Sequence, residues 1–477
     1  MDVGRVIDDP RQKDAHTEDH LCRKRRKTEM EQNKYVDKLL KLTKGATSQF
    51  HTVLETKKQL EEAGFEEVAL RENWDLKRGG KYFMVHHDST IFAFTIGEEF
   101  EGEDGFRLAA CHGDFPGFRI KPNPEIVTEG YVQLNTEVYG GVNLASWLDR
   151  PLSIAGRVVL RSEDVFHPEV RLVDFKRPLL TIPNIAIHLQ KEMNQGVELN
   201  RQTQMIPLLG KLAESEKKEG YFANLLAEEM GVKAEDILEY ELNVYNFEEG
   251  CLTGAKEEFI SAPRLDNLTS VQALATAIID ADRTKGINCA IVYDHEEIGS
   301  RSKQGAQSTL IVTILKKIYA ALGYSETAFS NAIMDSLLIS ADVSHAIHPS
   351  YAAKNDPTNK AKLNEGFCSQ GYATDSEAIA IVQQICEKEG IAYQKFVNRS
   401  DGSAGGTLGS IVSAILPVRT VDMGIPMFAM HSSREFMGRS GEPCKIYDSL
   451  FFTVKKHMKE CYIIVIERTD ICNIINL

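Results

Sequence analysis

The chain has 477 residues, 43% of them apolar, enough to fill sizeable cores in two or three domains. Its net charge is -14, from Lys+Arg 55 against Asp+Glu 69, which excludes a generic nucleic-acid binder because phosphate neutralisation needs clustered surplus cations. No apolar run is long enough to span a membrane. The nine cysteines form no C-x-x-C pair and suggest no disulfide framework, so they read as reduced thiols in a cytoplasmic protein.

Residues 1–29 lack apolar periodicity, and Arg23-Lys24-Arg25-Arg26-Lys27 reads as part of a disordered, solvated basic extension rather than a nuclear address. Order is expected from about residue 30. Tyr35, Val36, Leu39 and Leu40 recur at helical spacing, and a second helix runs from a Ser48 cap to a Gly64 stop. Tyr82 to Val85 and Thr90 to Thr95 form a hairpin turned through His86-His87-Asp88-Ser89. From 113 to 253 short β-branched runs alternate with Pro and Gly: Tyr131 to Val138, Leu152 to Leu160, Val170 to Val173. This stretch reads as an inserted β-rich module.

Beyond 254, strands alternate with helices. Asn267 to Ile279, Thr309 to Leu322 and Ser376 to Glu389 are helical; Ile287 to Tyr293, Leu337 to Ala341, Tyr393 to Val397 and Val418 to Val421 are strands. Apolar strands separated by helices imply an α/β fold, a mostly parallel sheet sandwiched by helices. Residues 30–112 and 254–456 would build it, and 457–477 would be an atypical apolar tail.

Sites in such sheets form beyond the carboxyl ends of strands. Cys111-His112-Gly113-Asp114, Asp294-His295-Glu296-Glu297, Asp342 with His345, and Asp422 with His431 all follow strands, and Asp266-Asn267 opens a helix. A single Asp there is commonly a cap or turn residue. Five acidic or imidazole-bearing sites at one sheet edge point instead to a cation, because clustered carboxylates repel without one. Imidazole with carboxylate suits zinc, or manganese or cobalt. Glu296 and Glu297, diverging on an extended segment, can divide the labour of hydrolysis between a metal and its water. His112 can ligate while Asp114 holds its ring. No G-x-S-x-G elbow, H-E-x-x-H helix or phosphate loop is present. Gly402-Ser403-Ala404-Gly405-Gly406-Thr407 is a tight backbone approach beside substrate or a plain turn.

Taken in order, several motifs resemble the aspartyl aminopeptidase family of dinuclear zinc exopeptidases. They are Gly113-Asp114 with Pro116 to Pro122, Tyr139-Gly140-Gly141 with Trp147 to Arg150, Ile187-His188-Leu189, Pro263 to Asn267, Asp294 to Gly299, Gln304 to Ser308, Ser340 to Asp342 with His345, His348 and Tyr351, and Ala429 to Ser432 with Arg434-Glu435. The resemblance covers roughly residues 30 to 450. It implies a zinc-exopeptidase-like fold and two zinc ions per chain. Asp266 would be shared, with His112 and Asp342 on one ion and Glu297 and His431 on the other. Glu296 would be the general base and Asp114 the orienting carboxylate. His188, Tyr372, Gly405 and Gly406 would meet the substrate, a peptide with a free N-terminus. The resemblance also implies a homo-oligomer, a dodecamer built from dimers that pair through the insert. Where the family carries a longer loop with a Lys that reads acidic substrates, this chain has only Phe367 to Gly371, without a cation, so an Asp or Glu preference is not implied. Two other readings keep the same ligands: a related carboxypeptidase or deacylase, and a metal-stabilised shell or cargo protein, which would not need Glu296.

Overall fold

Ile287–Tyr293 is buried at every position, so it must lie inside a sheet covered on both faces. The computed structural model describes residues 33–370, 374–402 and 405–439 and places it there. The basic extension, the apolar tail and Tyr372 lie outside the described residues.

Arg107–His112 runs parallel to Ile287–Tyr293, and Leu337–His345 and Arg419–Phe428 continue the parallel run. Both flanks turn antiparallel. Thr90–Ile96 and Lys81–His86 lie on one side; Glu435–Gly438, Phe259–Ala262 and Cys251–Thr253 lie on the other. Among the described residues the result is a 12-stranded mixed sheet, parallel at its centre. Along Arg107–His112 the side chains alternate between layers. Ala109 and Cys111 join a core with Leu39, Val53, Leu268 and Val382, while Leu108 and Ala110 join one with Ile311, Ile314, Phe329 and Val412.

The elements follow local signals. The helix Gln49–Glu62 starts where the Ser48 hydroxyl accepts from the His51 N–H, and stops before Gly64 at φ 81°. Two strands outrun their expected ends. Leu337–His345 continues through Asp342, and Arg419–Phe428 continues through Asp422. Asp422 is therefore mid-strand and buried, accepting from the Thr407 hydroxyl at 2.8 Å, and not at the sheet edge. The apolar run after it, Met423 to Phe428, keeps the strand going.

The chain leaves this sheet after His112 and builds a second, six-stranded antiparallel sheet between residues 117 and 246. Phe118, Leu134, Trp147, Ile154 and Leu242 form its core with Phe222 and Leu226 of the helix Tyr221–Met230. Three of its strands, Gly117–Thr128, Leu208–Lys211 and Ile237–Asn246, were not legible in the sequence. Pro122 and Pro124 disguise the first, and its pairing with Tyr131–Tyr139 shifts register between Ile120 and Glu125. Cys251–Thr253, expected with the insert, pairs with Phe259–Ala262 in the larger sheet. Arg157 of the insert reaches the His87 carbonyl at 2.9 Å and Asp88 at 3.2 Å, and Asn243 donates to Gln49 at 2.7 Å, which ties the modules together. Among the described residues no helix is long and apolar enough to cross a membrane.

Candidate metal centre

The sheet splits at its centre. Leu337–His345 pairs with Arg107–His112 only from Leu337 to Ser340, whereas its pairing with Arg419–Phe428 runs on to His345. Asp342 therefore falls where one neighbour has been lost, and His112 ends the strand on the other side of the gap. Asp266 enters at the start of the helix Leu265–Asp280, held by Asn267, whose side-chain amide donates to the Ala341 carbonyl at 2.9 Å. Glu296 and Glu297 sit on a 3-10 turn after His295, which has φ 64°. This corrects the expectation of an extended segment; the turn brings both carboxylates to one crevice.

The five expected ligands converge. His112 Nε2 lies 3.4 Å from Asp266 Oδ1 and 3.5 Å from Asp342 Oδ1. His431 Nε2 lies 3.3 Å from Asp266 Oδ2 and 3.5 Å from Glu297 Oε2. Asp266 thus turns one oxygen to each imidazole. Glu296 Oε2 is 4.0 Å from His112 Nε2.

Each imidazole is oriented from behind. His112 Nδ1 lies 3.0 Å from the Asp114 carbonyl, and His431 Nδ1 lies 3.0 Å from the Gly141 carbonyl. A carbonyl only accepts, so each Nδ1 donates and each neutral ring turns its Nε2 lone pair to the carboxylates. Lone pairs facing carboxylate oxygens at this range need a proton or a cation between them. Asp266 Oδ1 and Glu297 Oε1 are buried without a hydrogen-bond partner, so the donor set fits a metal. Groups of three side chains able to hold an ion include His112 with Asp266 and Asp342, and Asp266 with Glu297 and His431.

The electrostatics agree. Burial pushes the Glu297 carboxyl well above the usual range, and Asp266 adds to the effect. Burial also raises Glu296 to about 8, eased by His112 and reinforced by Asp342, Asp114 and Asp266. Burial works against a charge on His112 too, but Asp114, Asp266 and Asp342 raise it well above its ordinary value. Such a concentration of buried acids is relieved by a cation.

Asp114 does more than expected. Its backbone carbonyl holds the His112 ring. Its buried carboxylate accepts from the Tyr139 hydroxyl at 2.6 Å, the Glu296 N–H at 3.1 Å and the Glu297 N–H at 3.2 Å. The insert supplies Tyr139, Gly140 and Gly141, which were visible as a motif but had no assigned task. A Cβ on Gly140, at φ 73°, would lie 3.2 Å from Glu297 Cβ, so the close approach requires glycine.

Gly405 and Gly406 line the crevice beside the cluster, in a cavity of about 360 Å³ that also takes in Val142, Val343, Phe396 and Met430. His188 is exposed on the insert and does not line this cavity.

A family model described as Aminopeptidase I zinc metalloprotease (M18) matches residues 42–451. The chain belongs to the M18 aminopeptidase family. It is a metal-dependent aminopeptidase, and the resemblance to the aspartyl aminopeptidases is borne out at the level of the family. This M18 enzyme is 42% identical over 410 residues to a probable M18 family aminopeptidase 2 of Clostridium acetobutylicum, covering 85% of this chain and 95% of that protein. Among solved structures, Ape4 in its complex with Nbr1 matches with a TM-score of 0.84 at 32% identity, covering 90% of this chain and 86% of that one. The mApe1 dodecamer of S. cerevisiae shares the fold, with a TM-score of 0.76 at 23% identity, covering 90% of this chain and 98% of that one.

Proposed function

We propose that this M18 enzyme holds two zinc ions and removes single residues from the free N-terminus of peptides. One observation carries the reading: the two oxygens of Asp266 face two separate imidazoles, each accompanied by a further carboxylate. His112 and Asp342 would hold one ion with Asp266, and Glu297 and His431 the other. Manganese or cobalt would suit the same donors.

When bound, the ions lower the pKa of water toward neutrality and polarise the scissile carbonyl. The remaining tasks fall to the chain's own side chains. Glu296 reaches the cluster through Oε2 and takes the proton of the attacking water, then returns it to the leaving amine. Asp114 fixes the turn that carries Glu296 and Glu297 through their N–H groups. The carboxylates attract the substrate's α-ammonium, which restricts cleavage to the first residue. Among the described residues the crevice lining holds no Lys or Arg and includes Val142, Val343, Phe396 and Met430, which supports neutral rather than acidic first residues.

Glu296 favours this reading over a metal-stabilised shell protein, which has no use for a proton carrier. A homo-oligomer is supported by the likeness to a dodecameric neighbour and by the exposed Ile185, Ile187 and Leu189 around His188 on the insert, where His188 would face a partner's crevice. Free buried thiols such as Cys111 and Cys289 suit a reducing cytoplasmic setting.

The test is hydrolysis of a matched pair of peptides, one with a free and one with an acetylated N-terminus. Chelation should abolish cleavage of the free peptide and zinc should restore it. Cleavage of the blocked peptide alone would transfer the site to a deacylase or carboxypeptidase.

A further inference from the structure

Glu435 opens the strand Glu435–Gly438, is 2% exposed, and has no part in the ligand set described above. Its carboxylate nonetheless touches two ligand-bearing segments. Oε1 accepts the His431 N–H at 2.7 Å, and Oε2 accepts the Asp266 N–H at 2.9 Å.

Both donors come from backbone outside regular structure. His431 has φ 64°, and Asp266, at φ -81° and ψ 106°, breaks its helix together with Asn267 at φ -122° and ψ 30°. Neither N–H has a helix or sheet partner to fix it, so Glu435 sets the spacing between the two residues. Only a carboxylate can do this. Two N–H donors need two acceptors in one plane, and an amide offers one acceptor and two donors. A further buried negative charge beside Asp266 is costly, and a neutral side chain would cost less. Its presence where it opposes the ligands' own charge therefore marks a geometric task.

We infer that Glu435 is a positioning residue that spans His431 and Asp266 and so sets the affinity of the metal position they share with Glu297. The inference rests on the two-metal reading above. The arrangement parallels that of Asp114, which holds Glu296 and Glu297 through their N–H groups. Two buried carboxylates, neither of them a ligand, would thus hold four of the metal-facing residues by their backbone.

The experiment is a competitive zinc titration of the metal-free full chain against a chelator, for the wild type and Glu435→Gln, alongside thermal melts with and without zinc. The affinity of the position that carries His431 should fall by about 10- to 100-fold, and that of the other, which shares only Asp266, should fall by less. The metal-free melting points should nearly coincide, with the zinc-induced rise smaller in the variant. Glu435→Asp, which keeps two acceptors on a shorter arm, should fall between them; it carries the same test if the Gln variant does not fold. Unchanged zinc affinities in the variant overturn the inference. So does a metal-free melting point lowered as far as the zinc-loaded one, which would mark a plain contribution to stability. A wild type that takes only one zinc overturns the two-metal reading and this inference with it.

Discussion

Replacing Asp114 by Asn should cost this M18 enzyme turnover while leaving most of its metal in place. The buried carboxylate accepts three hydrogen bonds, from the Tyr139 hydroxyl and from the N–H groups of Glu296 and Glu297. Burial works against its charge, but His112, Tyr139 and the Glu297 N–H hold its carboxyl below the usual range. Asn keeps one acceptor oxygen. In its best orientation the new NH₂ faces the Glu296 N–H, which loses its partner, while the other two bonds weaken from charged to neutral. A bond to a charged group is worth about 1.5–3 kcal/mol, so the combined loss is about 3 kcal/mol, or roughly 100-fold in rate. The loss should fall on kcat, because Asp114 is screened from substrate behind the turn. Zinc should largely stay, because the His112 ring is held by the Asp114 backbone carbonyl, which Asn retains. Steady-state kinetics on an amino-acid amide, with zinc content measured on the same sample, checks both parts. A kcat within about threefold of wild type would refute the reasoning, as would a loss explained wholly by missing zinc.

His51 makes a contribution to stability that is lost as pH falls, opposite in sign to that of the raised carboxyls of Glu296 and Glu297, so it is read as the difference between the wild type and a His51 variant. Burial holds this histidine at about 4 against its ordinary 6.5, with Asp174 pulling upward and Lys176 downward. The unfolded chain therefore takes the proton first, and up to about 3 kcal/mol of stability disappears between those values. Urea melts of both proteins at stepped pH should show the wild type losing that contribution relative to His51→Gln as pH falls from 6.5 towards 4; a difference that does not change with pH would refute it. Gly140→Ala forces a side chain into left-handed backbone and against Glu297, so kcat should drop about tenfold or more while the melting point changes little. In a panel of peptides differing only in the first residue, Leu or Met should exceed Asp or Glu by about tenfold or more in kcat/KM, given a crevice lining without Lys or Arg among the described residues. Preferred cleavage of acidic peptides would show that a cation from elsewhere reads the side chain.

The sequence exposed four of the five candidate ligands, His112, Glu297, Asp342 and His431, because each follows an apolar run, and Asp266 because it opens a helix. Ile287–Tyr293 could be placed to the residue, since every side chain in it is buried. The sites that needed the structure depend on distant partners. Asp422 looks like Asp342 in sequence, a lone acid after an apolar run, yet one is sealed against Thr407 and the other opens on the crevice. The difference is where a neighbouring strand ends, which pairing decides and local sequence does not. Glu435 was visible only as the second residue of Arg434-Glu435. Its meaning comes from two N–H groups, one of them far away along the chain. Gly117–Thr128 was hidden because its prolines read as breakers, although they sit where the ladder shifts register. The dimerisation role of the insert depends on a second chain and stays a proposal.

Glu296→Gln is the most direct test of the central claim, because it removes a proton carrier and almost nothing else. The variant should bind as much zinc as the wild type, with the same fold by circular dichroism, and lose kcat by about 100-fold or more. Retention of more than about a tenth of the activity at full zinc occupancy would contradict the account, since proton transfer would then run through another group.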